Sequence, residues 1–234
     1  WREEVDTIDH ADERIAALEE TLVQARQDYF SQAKKLTASR KKAGKQLTQA
    51  VEKQLAALHM ANTRLSITLS PREGNPRSTG MEEAAFLVST NPGEPPKPLK
   101  QVASGGELSR IMLALKTVLA DLIATTTLIF DEVDVGVGGR VAASIGEKLT
   151  QVAQDRQVLA ITHLPQVAAW GDTHLKVEKK TRQGKTQAGI TTLDSDNRVE
   201  ELARMLAGNQ VTAPARQNAK DLLQAASRTQ NRSK

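Results

Sequence analysis

The residues best suited to chemistry lie in three short segments of the chain. The sequence reads SGGELSR at 104–110, LIFDEVD at 128–134 and ITHLPQ at 161–166. In chain order these segments supply a glycine-containing turn, a pair of adjacent carboxylates and a histidine. Phosphoryl transfer to water needs groups of these kinds around a phosphate and its Mg²⁺ ion. The spacing therefore predicts parts of an ATP-hydrolysing site.

The segment that should hold the phosphates is absent from the sequence. A P-loop has the pattern G-x-x-x-x-G-K-[ST]. The Gly-Lys-Thr run at 184–186 has Lys179 where the first glycine belongs, and Gly44-Lys45 continues with Gln46. The chain is therefore predicted to contribute half of an ATPase site and to need the other half from elsewhere.

The run Ser104-Gly105-Gly106-Glu107 opens a predicted helix. Its Ser-x-x-Glu spacing is that of a capping box, and its glycines let another surface approach the backbone closely. A helix N-terminus also presents amides and the positive end of a dipole to an anion. An ordinary capped helix would carry the same four residues, but the complete run through Arg110 favours a loop that faces phosphate.

Asp131 and Glu132 directly follow the apolar run at 127–130, which is typical of a buried parallel strand. Ligands of open α/β sheets bind at the carboxyl ends of the strands. There one carboxylate can hold Mg²⁺ and the next can act as a base toward water. His163 follows the next apolar run, where it can contact a γ-phosphate or orient water. Exposed loop acids and a structural histidine are the ordinary alternatives.

Asp134 begins a loop that continues through Gly136, Gly138 and Gly139. In a functional interpretation this loop meets an opposing subunit across a shared nucleotide. In the plain interpretation it is only a turn from a strand to a helix.

A long helix is predicted for the first part of the chain. Residues 1–60 contain no proline, and apolar residues recur at heptad spacing, as in a coiled coil. The first register consists of Ile8, Ile15, Leu22, Tyr29 and Leu36, with Ala11, Leu18 and Ala25 between them. A second register follows an offset near Gly44. Because no other heptad segment of this length exists, the partner strand is predicted to belong, with the P-loop, to an absent N-terminal half.

Residues 61–234 are predicted to form the lobe of an α/β head. Strands are expected at 65–69, 86–88, 127–130 and 158–161, helices at 107–124, 140–154, 199–207 and 214–226, and a hairpin around Gly184. The helix at 140–154 is the expected crossover between two parallel strands. It would bring the residues that follow both strands to one edge of a sheet.

Composition excludes several classes of protein. The absence of cysteine excludes disulfides and thiolate metal sites and fits a reducing cytoplasm. No apolar stretch approaches the roughly 18 residues of a membrane span, so no membrane partner is expected. Aromatic residues are 3%, which argues against a stacking platform for single-stranded nucleic acid. The start at Trp1 suggests a piece of a longer protein.

Positive charge is concentrated in one stretch, although the net charge is only +4. Residues 31–50 contain no acid and six basic side chains: Lys34, Lys35, Arg40, Lys41, Lys42 and Lys45. This stretch can track DNA phosphates. It can equally form a solvated coiled-coil face or complement an acidic partner strand.

Taken together, these segments resemble the ABC-type ATPase heads of the SMC-like family, most closely those of its bacterial DNA-repair members. SGGELSR resembles the ABC signature, LIFDEVD a Walker B strand with its catalytic glutamate, and His163 the switch histidine. Longer strings at 86–116, 161–179 and 198–208 extend the resemblance over about 65–226.

The resemblance implies an α/β fold: the C-terminal lobe of an ABC/SMC-type head, with a mainly parallel sheet flanked by helices, preceded by a long coiled-coil helix. It implies an N-terminal half that carries Walker A, and a homodimer whose heads enclose ATP and Mg²⁺. It also implies action on double-stranded DNA in double-strand-break and recombinational repair, in the cytoplasm at the nucleoid. This chain alone is expected to hydrolyse no ATP.

The resemblance also implies a role for each residue of the three segments. Asp131 would support Mg²⁺, Glu132 would activate water and His163 would sense the γ-phosphate. The residues implied to contact nucleotide are Ser104, Gly105, Gly106, Glu107 and Asp134.

Other classes of function remain open. The chain is also compatible with a chromosome-tethering ATPase of the SMC type, or with a structural interaction protein whose head is a docking platform. The second alternative predicts DNA bridging that needs no ATP. An ABC ATPase that serves a transporter is disfavoured by the long coiled coil.

Overall fold

The computed structural model describes residues 2–72, 74, 76–102, 104–122, 126–182, 185–208 and 210–232. The helices are α1 (Arg2–Ala57), α2 (Gly105–Val118), α3 (Gly139–Val152), α4 (Pro165–Ala168), α5 (Ser195–Ala207) and α6 (Ala213–Arg232). The strands are β1 (Arg64–Pro71), β2 (Glu82–Ser89), β3 (Lys97–Pro98), β4 (Thr127–Phe130), β5 (Gln157–Ala160), β6 (Leu175–Arg182) and β7 (Lys185–Thr192). The predicted hairpin turn at Gly184 lies outside the described residues. The helix predicted to reach Ala124 ends earlier, at Val118.

The chain forms two compact units. One comprises Trp1–Gln49 and Ser66–Leu87, and the other comprises Ala50–Leu65 and Val88–Lys234. Within the described residues, no helix is long and apolar enough to cross a membrane. The candidate site lies entirely in the second unit.

In the first unit, α1 continues without interruption through Gly44, so the offset between the two heptad registers does not break the helix. The side chain of Arg40 pairs with Glu82 of β2 at 3.5 Å and donates to the carbonyl of Thr79 at 2.7 Å. Nearer the start of α1, the apolar seam is open to solvent: Ile15, Leu18 and Leu22 are 53%, 61% and 51% exposed. A seam of this kind is stable in water only against a partner.

In the second unit, β4 and β5 form the predicted parallel pair, with Leu128 beside Val158 and Phe130 beside Ala160. The predicted burial holds for one face of β4 and for neither face of β5, where Val158 is half-buried and Ala160 is exposed. Leu128 and Phe130 are buried, whereas Ile129 is 68% exposed. Leu159 and Ile161 are exposed as well. A parallel strand is buried on both faces only when elements cover both faces.

The last two helices, α5 and α6, pack together in the second unit. Leu202 and Ala203 of α5 pack with Ala215 and Ala219 of α6 and with Ala169 after α4. Asp194 caps α5 by accepting the amide of Asn197 at 2.8 Å. The short helix α4 was not predicted, because four residues are too few for a periodic pattern. This packing fixes the segment that follows β5.

Gly146 of α3 allows an indole to pack directly on the helix backbone. A Cβ atom at Gly146 would collide with the ring of Trp170, which follows α4. Gly44 in α1 is different, because a Cβ there would meet Ile67 at 3.8 Å, an ordinary contact. Both glycines lie within helices. Replacing each with alanine therefore compares a site where the new Cβ atom collides with a neighbour and a site where it does not.

We expect Gly146→Ala to lower the free energy of unfolding by about 1–3 kcal/mol, because the half-buried Trp170 ring must move away from the new Cβ atom. We expect Gly44→Ala to raise it by about 0.5–1 kcal/mol, because alanine restricts the unfolded chain and favours the helix. Urea unfolding of both variants measures the two changes. Equal effects in the two variants would contradict the packing seen around Trp170.

Candidate functional site

The carboxyl ends of β4 and β5 bring the predicted carboxylates and the predicted histidine to one edge of the sheet. The two strands run in register, and the amide of Ile161 donates to the carbonyl of Phe130 at 2.9 Å. Asp131 and Glu132 leave the end of β4, and His163 follows β5 after Thr162. Both carboxylates are exposed, as is 68% of the His163 side chain.

The N-terminus of α2 packs against the turn that contains these carboxylates. The hydroxyl of Ser109 donates to the carbonyl of Asp131 at 2.8 Å. The Glu132 carboxylate lies so close to Gly105 that a Cβ atom there would overlap Oε2. A Cβ atom at Gly106 would lie 2.8 Å from the carbonyl oxygen of Val135. The backbone carbonyl cannot move away as a side chain can, so Gly106 is required for this close approach, and the SGGELSR and LIFDEVD segments form one structural feature.

The Ser104 half of the predicted capping box is formed at the first turn of α2. Ser104 accepts the backbone amide of Glu107 at 3.4 Å. The first amides of a helix have no acceptor within the helix, and the helix dipole makes this end positive. Gly105 is exposed at this end, so an incoming anion can reach the backbone there.

Arg110 is a positioning residue that the sequence did not identify. Its side chain is buried, and Nη1 donates to the carbonyls of Val135 at 3.0 Å and Val133 at 3.4 Å. Burial lowers the pKa of this guanidinium below its ordinary value, and the nearby Glu107 partly opposes that shift. Arginine stays protonated in proteins, so the contact is a charged clamp on the turn at 131–135. The only signal in the sequence is the helical spacing of Arg110 from Gly106.

Glu132 has a left-handed backbone conformation, with φ of +58°. This region is unfavourable for a residue with a long side chain, and such strain concentrates at functional sites. The amide of Glu132 donates to Oδ1 of Asp131 at 2.9 Å, and its carbonyl accepts the amide of Val135 at 3.1 Å. The surrounding bonds therefore hold the turn in a conformation that turns Glu132 toward Gly105.

Asp134 is almost completely buried, with 1% of its surface exposed, and its carboxylate faces the segment after β5. Oδ2 accepts the hydroxyl of Thr162 and the amide of His163, the latter at 3.3 Å. Nδ1 of His163 lies 3.5 Å from the same oxygen. Asp134 thus orients His163 through the buried side of this edge. The predicted contact of Asp134 with nucleotide stays a prediction. Thr162 was missed because a single hydroxyl residue at a strand end has no distinctive pattern.

The residues at this edge fit a magnesium ion bound together with phosphates. In the part of the chain that the structure describes, no three His, Asp or Glu residues gather into a metal site of their own. Mg²⁺ usually takes one or two carboxylates and completes its shell with water and substrate phosphates. Asp131 is an exposed carboxylate whose Oδ1 is held by the Glu132 amide. Asp131 can therefore supply one of the carboxylates that such an ion takes.

Curated relatives share this sequence along nearly its whole length. The chain is 46% identical to the DNA repair protein RecN of Halalkalibacterium halodurans over 94% of this chain and 40% of that protein. It is 40% identical to the RecN proteins of Vibrio cholerae and Bacillus subtilis, over 96% of this chain and 40% and 41% of theirs. The chain therefore spans about two-fifths of the length of these relatives. No protein-family model matches it.

A solved structure shares the fold. The SMC head domain with a coiled coil and joint from Pyrococcus yayanosii aligns with a TM-score of 0.55. The alignment covers 81% of this chain and 34% of that chain, at 17% identity. The predicted fold class is confirmed as an α/β head lobe of the SMC type with a long helix. Its strands form both a parallel pair, β4 with β5, and an antiparallel pair, β6 with β7.

Proposed function

This chain is related by sequence to the RecN proteins along almost its whole length, and from that relationship we propose that it forms the signature and catalytic half of an ATPase site in DNA repair. One observation carries the proposal. The Glu132 carboxylate lies against Gly105 of the signature turn, at the sheet edge where His163 follows β5. The proposed catalytic carboxylate and the turn that approaches the phosphate of an opposing head thus form one surface.

Each residue has a distinct task in the proposed site. Glu132 takes a proton from the attacking water, because a carboxylate at a strand end can reach a bound phosphate. His163, held by Asp134, donates a hydrogen bond toward the γ-phosphate. Asp131 would hold Mg²⁺, which would neutralise charge on the phosphates. Ser104, Gly105 and Gly106 approach the γ-phosphate bound by an opposing head.

Two exposed apolar surfaces support the proposal that an N-terminal half completes this chain. The outer face of β4 and β5 exposes Ile129, Leu159 and Ile161, and a Walker A half would cover it. The open seam at Ile15 and Leu22 would take the second strand of a coiled coil. Each surface would leave apolar area in water if the chain acted alone.

The name of the relatives places them in DNA repair, and we extend that role to this protein. We propose that double-stranded DNA is the substrate on which the head dimer acts, at double-strand breaks. The corresponding location is the bacterial cytoplasm, at the nucleoid. ATP-independent bridging of two duplexes by this chain would instead favour a structural interaction protein.

A reconstitution assay tests the proposed ATPase. ATP hydrolysis is measured for this chain alone and for the chain mixed with the Walker A half, each with and without linear duplex DNA. We expect no hydrolysis by the chain alone, because its sequence lacks a P-loop. We expect hydrolysis that DNA stimulates after mixing.

Two results would count against this assignment. Hydrolysis by the chain alone would mean that the phosphates of ATP bind within this chain and not at a site shared with the Walker A half. A mixed sample that forms a stable complex but hydrolyses no ATP would remove the catalytic role. A P-loop lysine variant of the Walker A half is the control, because it preserves the complex and removes phosphate binding.

A further inference from the structure

The middle of α1 carries a stripe of lysines on one side of the helix. Helical residues follow one another at about 100°. At that spacing, five side chains fall within an arc of about 120°. These residues, called the lysine stripe, are Lys34, Lys35, Lys41, Lys42 and Lys45. All five are exposed, and from Lys34 to Lys45 the stripe runs for about 16 Å along the axis.

Within the described residues, the lysine stripe lies on an exposed side of α1. The opposite side contains Ala33, which is buried, and Gly44, which faces Ile67. Arg40 belongs to that packed side, where it is paired with Glu82. The basic residues of the stretch 31–50 thus divide into one arginine that is paired within the fold and five solvent-facing lysines.

The apolar seam of α1 also lies apart from the lysine stripe. Ile15, Leu22 and Leu36 project on the same side as the packed residues, by the 100° spacing. A second coiled-coil strand on that seam would leave the stripe in solvent. Within the described part of the chain, none of the five lysines forms an ion pair, and residues 31–50 include no acid.

The chemistry of the lysine stripe matches a regular row of phosphates. Ammonium groups bind phosphate as point charges without reading bases. Duplex DNA carries about one negative charge per 1.7 Å of axis when both strands are counted. A length of duplex equal to that of the stripe therefore carries about ten charges. Residues 31–50 contain no aromatic side chain on which an unpaired base could stack. Charge without stacking favours a duplex over a single strand.

We propose that the lysine stripe on α1 is a binding surface for the phosphate backbone of double-stranded DNA. The inference rests on the proposed role in DNA repair and adds to it the surface that holds the duplex. Binding through the stripe needs neither ATP nor the residues of the candidate site. It is independent of sequence and depends strongly on salt.

The test is fluorescence anisotropy of this chain with a labelled 20-base-pair duplex, without nucleotide, between 50 and 200 mM salt. The variant Lys41→Gln, Lys42→Gln and Lys45→Gln removes three adjacent charges and keeps side chains that favour a helix. We expect affinity at 50 mM salt to fall by about tenfold or more. The slope of log affinity against log salt should decrease by about 3, roughly 0.9 for each lost phosphate contact.

A matched control has Lys97→Gln, Lys100→Gln and Lys220→Gln. It removes three exposed lysines of the second unit, so both triple variants lower the net charge from +4 to +1. The control should retain the affinity and slope of the unaltered chain. Circular dichroism and thermal unfolding establish that both variants are folded.

Three outcomes would overturn the proposal. The chain could fail to bind duplex at 50 mM salt, or the two triple variants could lose the same affinity, which would make net charge the whole effect. Tighter binding to polyglutamate than to duplex would make the stripe a surface for an acidic protein. None of these results changes the ATP hydrolysis expected of the reconstituted protein without DNA. The DNA surface and the ATPase site are therefore tested separately.

Discussion

Replacing Glu132 with Gln is expected to lower ATP hydrolysis by the reconstituted protein about 100-fold to 10,000-fold, while ATP binding persists. Gln keeps the length of the side chain, so it can occupy the same position against Gly105. It cannot take a proton from water. Phosphate release measures the rate, and size-exclusion chromatography with ATP measures the head dimer, which should accumulate because the nucleotide is not consumed.

The control for this substitution is Glu83→Gln. Glu83 is an exposed carboxylate of β2 whose nearest ion-pair partner is Arg72 at 3.7 Å. Exposed pairs of this kind contribute little, so both hydrolysis and dimerisation should stay as in the unaltered protein. A Glu132→Gln protein that hydrolyses ATP at the normal rate would remove Glu132 from the mechanism.

Replacing Asp134 with Asn is expected to lower kcat about tenfold to 100-fold and to leave the KM for ATP nearly unchanged. Asp134 touches His163 and Thr162, so it acts by positioning the histidine. Asn retains an oxygen that can accept the Thr162 hydroxyl, and it has nearly the same volume. It loses the negative charge that faces Nδ1 of His163. The thermal midpoint should therefore change little while the rate falls.

A double-mutant cycle with His163→Gln separates positioning from a structural role. If Asp134 acts through His163, the double variant should be no slower than the slower single variant, because the second change removes nothing further. Additive losses would mean that the two residues act independently. A loss of activity that tracks a loss of stability would mean that Asp134 only maintains the fold.

Much of the site's composition was predictable from the sequence because local patterns carry it. Ser104 caps α2 as the Ser-x-x-Glu spacing predicts, and β4 comprises the predicted residues 127–130. The parallel pairing of β4 with β5 followed from the helix between them, since such connections return the chain to the same sheet. The edge that gathers Asp131, Glu132 and His163 is a consequence of that pairing.

Contacts across the fold were not predictable in the same way. The helical spacing of Arg110 from Gly106 gives no indication that the guanidinium contacts the carbonyls of Val133 and Val135. The left-handed backbone of Glu132 depends on the turn that Ser109 and Arg110 hold. Burial was misjudged for Ile129 because an apolar run records preference for an apolar environment, and only the neighbouring elements decide whether one exists.

The sequence by itself determined which groups are present and which elements carry them: a signature turn that opens a helix, carboxylates after one strand, a histidine after the next, and no P-loop. These are short-range features, set by spacing, capping and periodicity. The tertiary structure alone decided that Glu132 lies against Gly105 and that Asp134 is buried beneath His163. Those relations join residues 27 and 29 positions apart, and they arise because parallel strands and a closely packed helix bring distant backbone together.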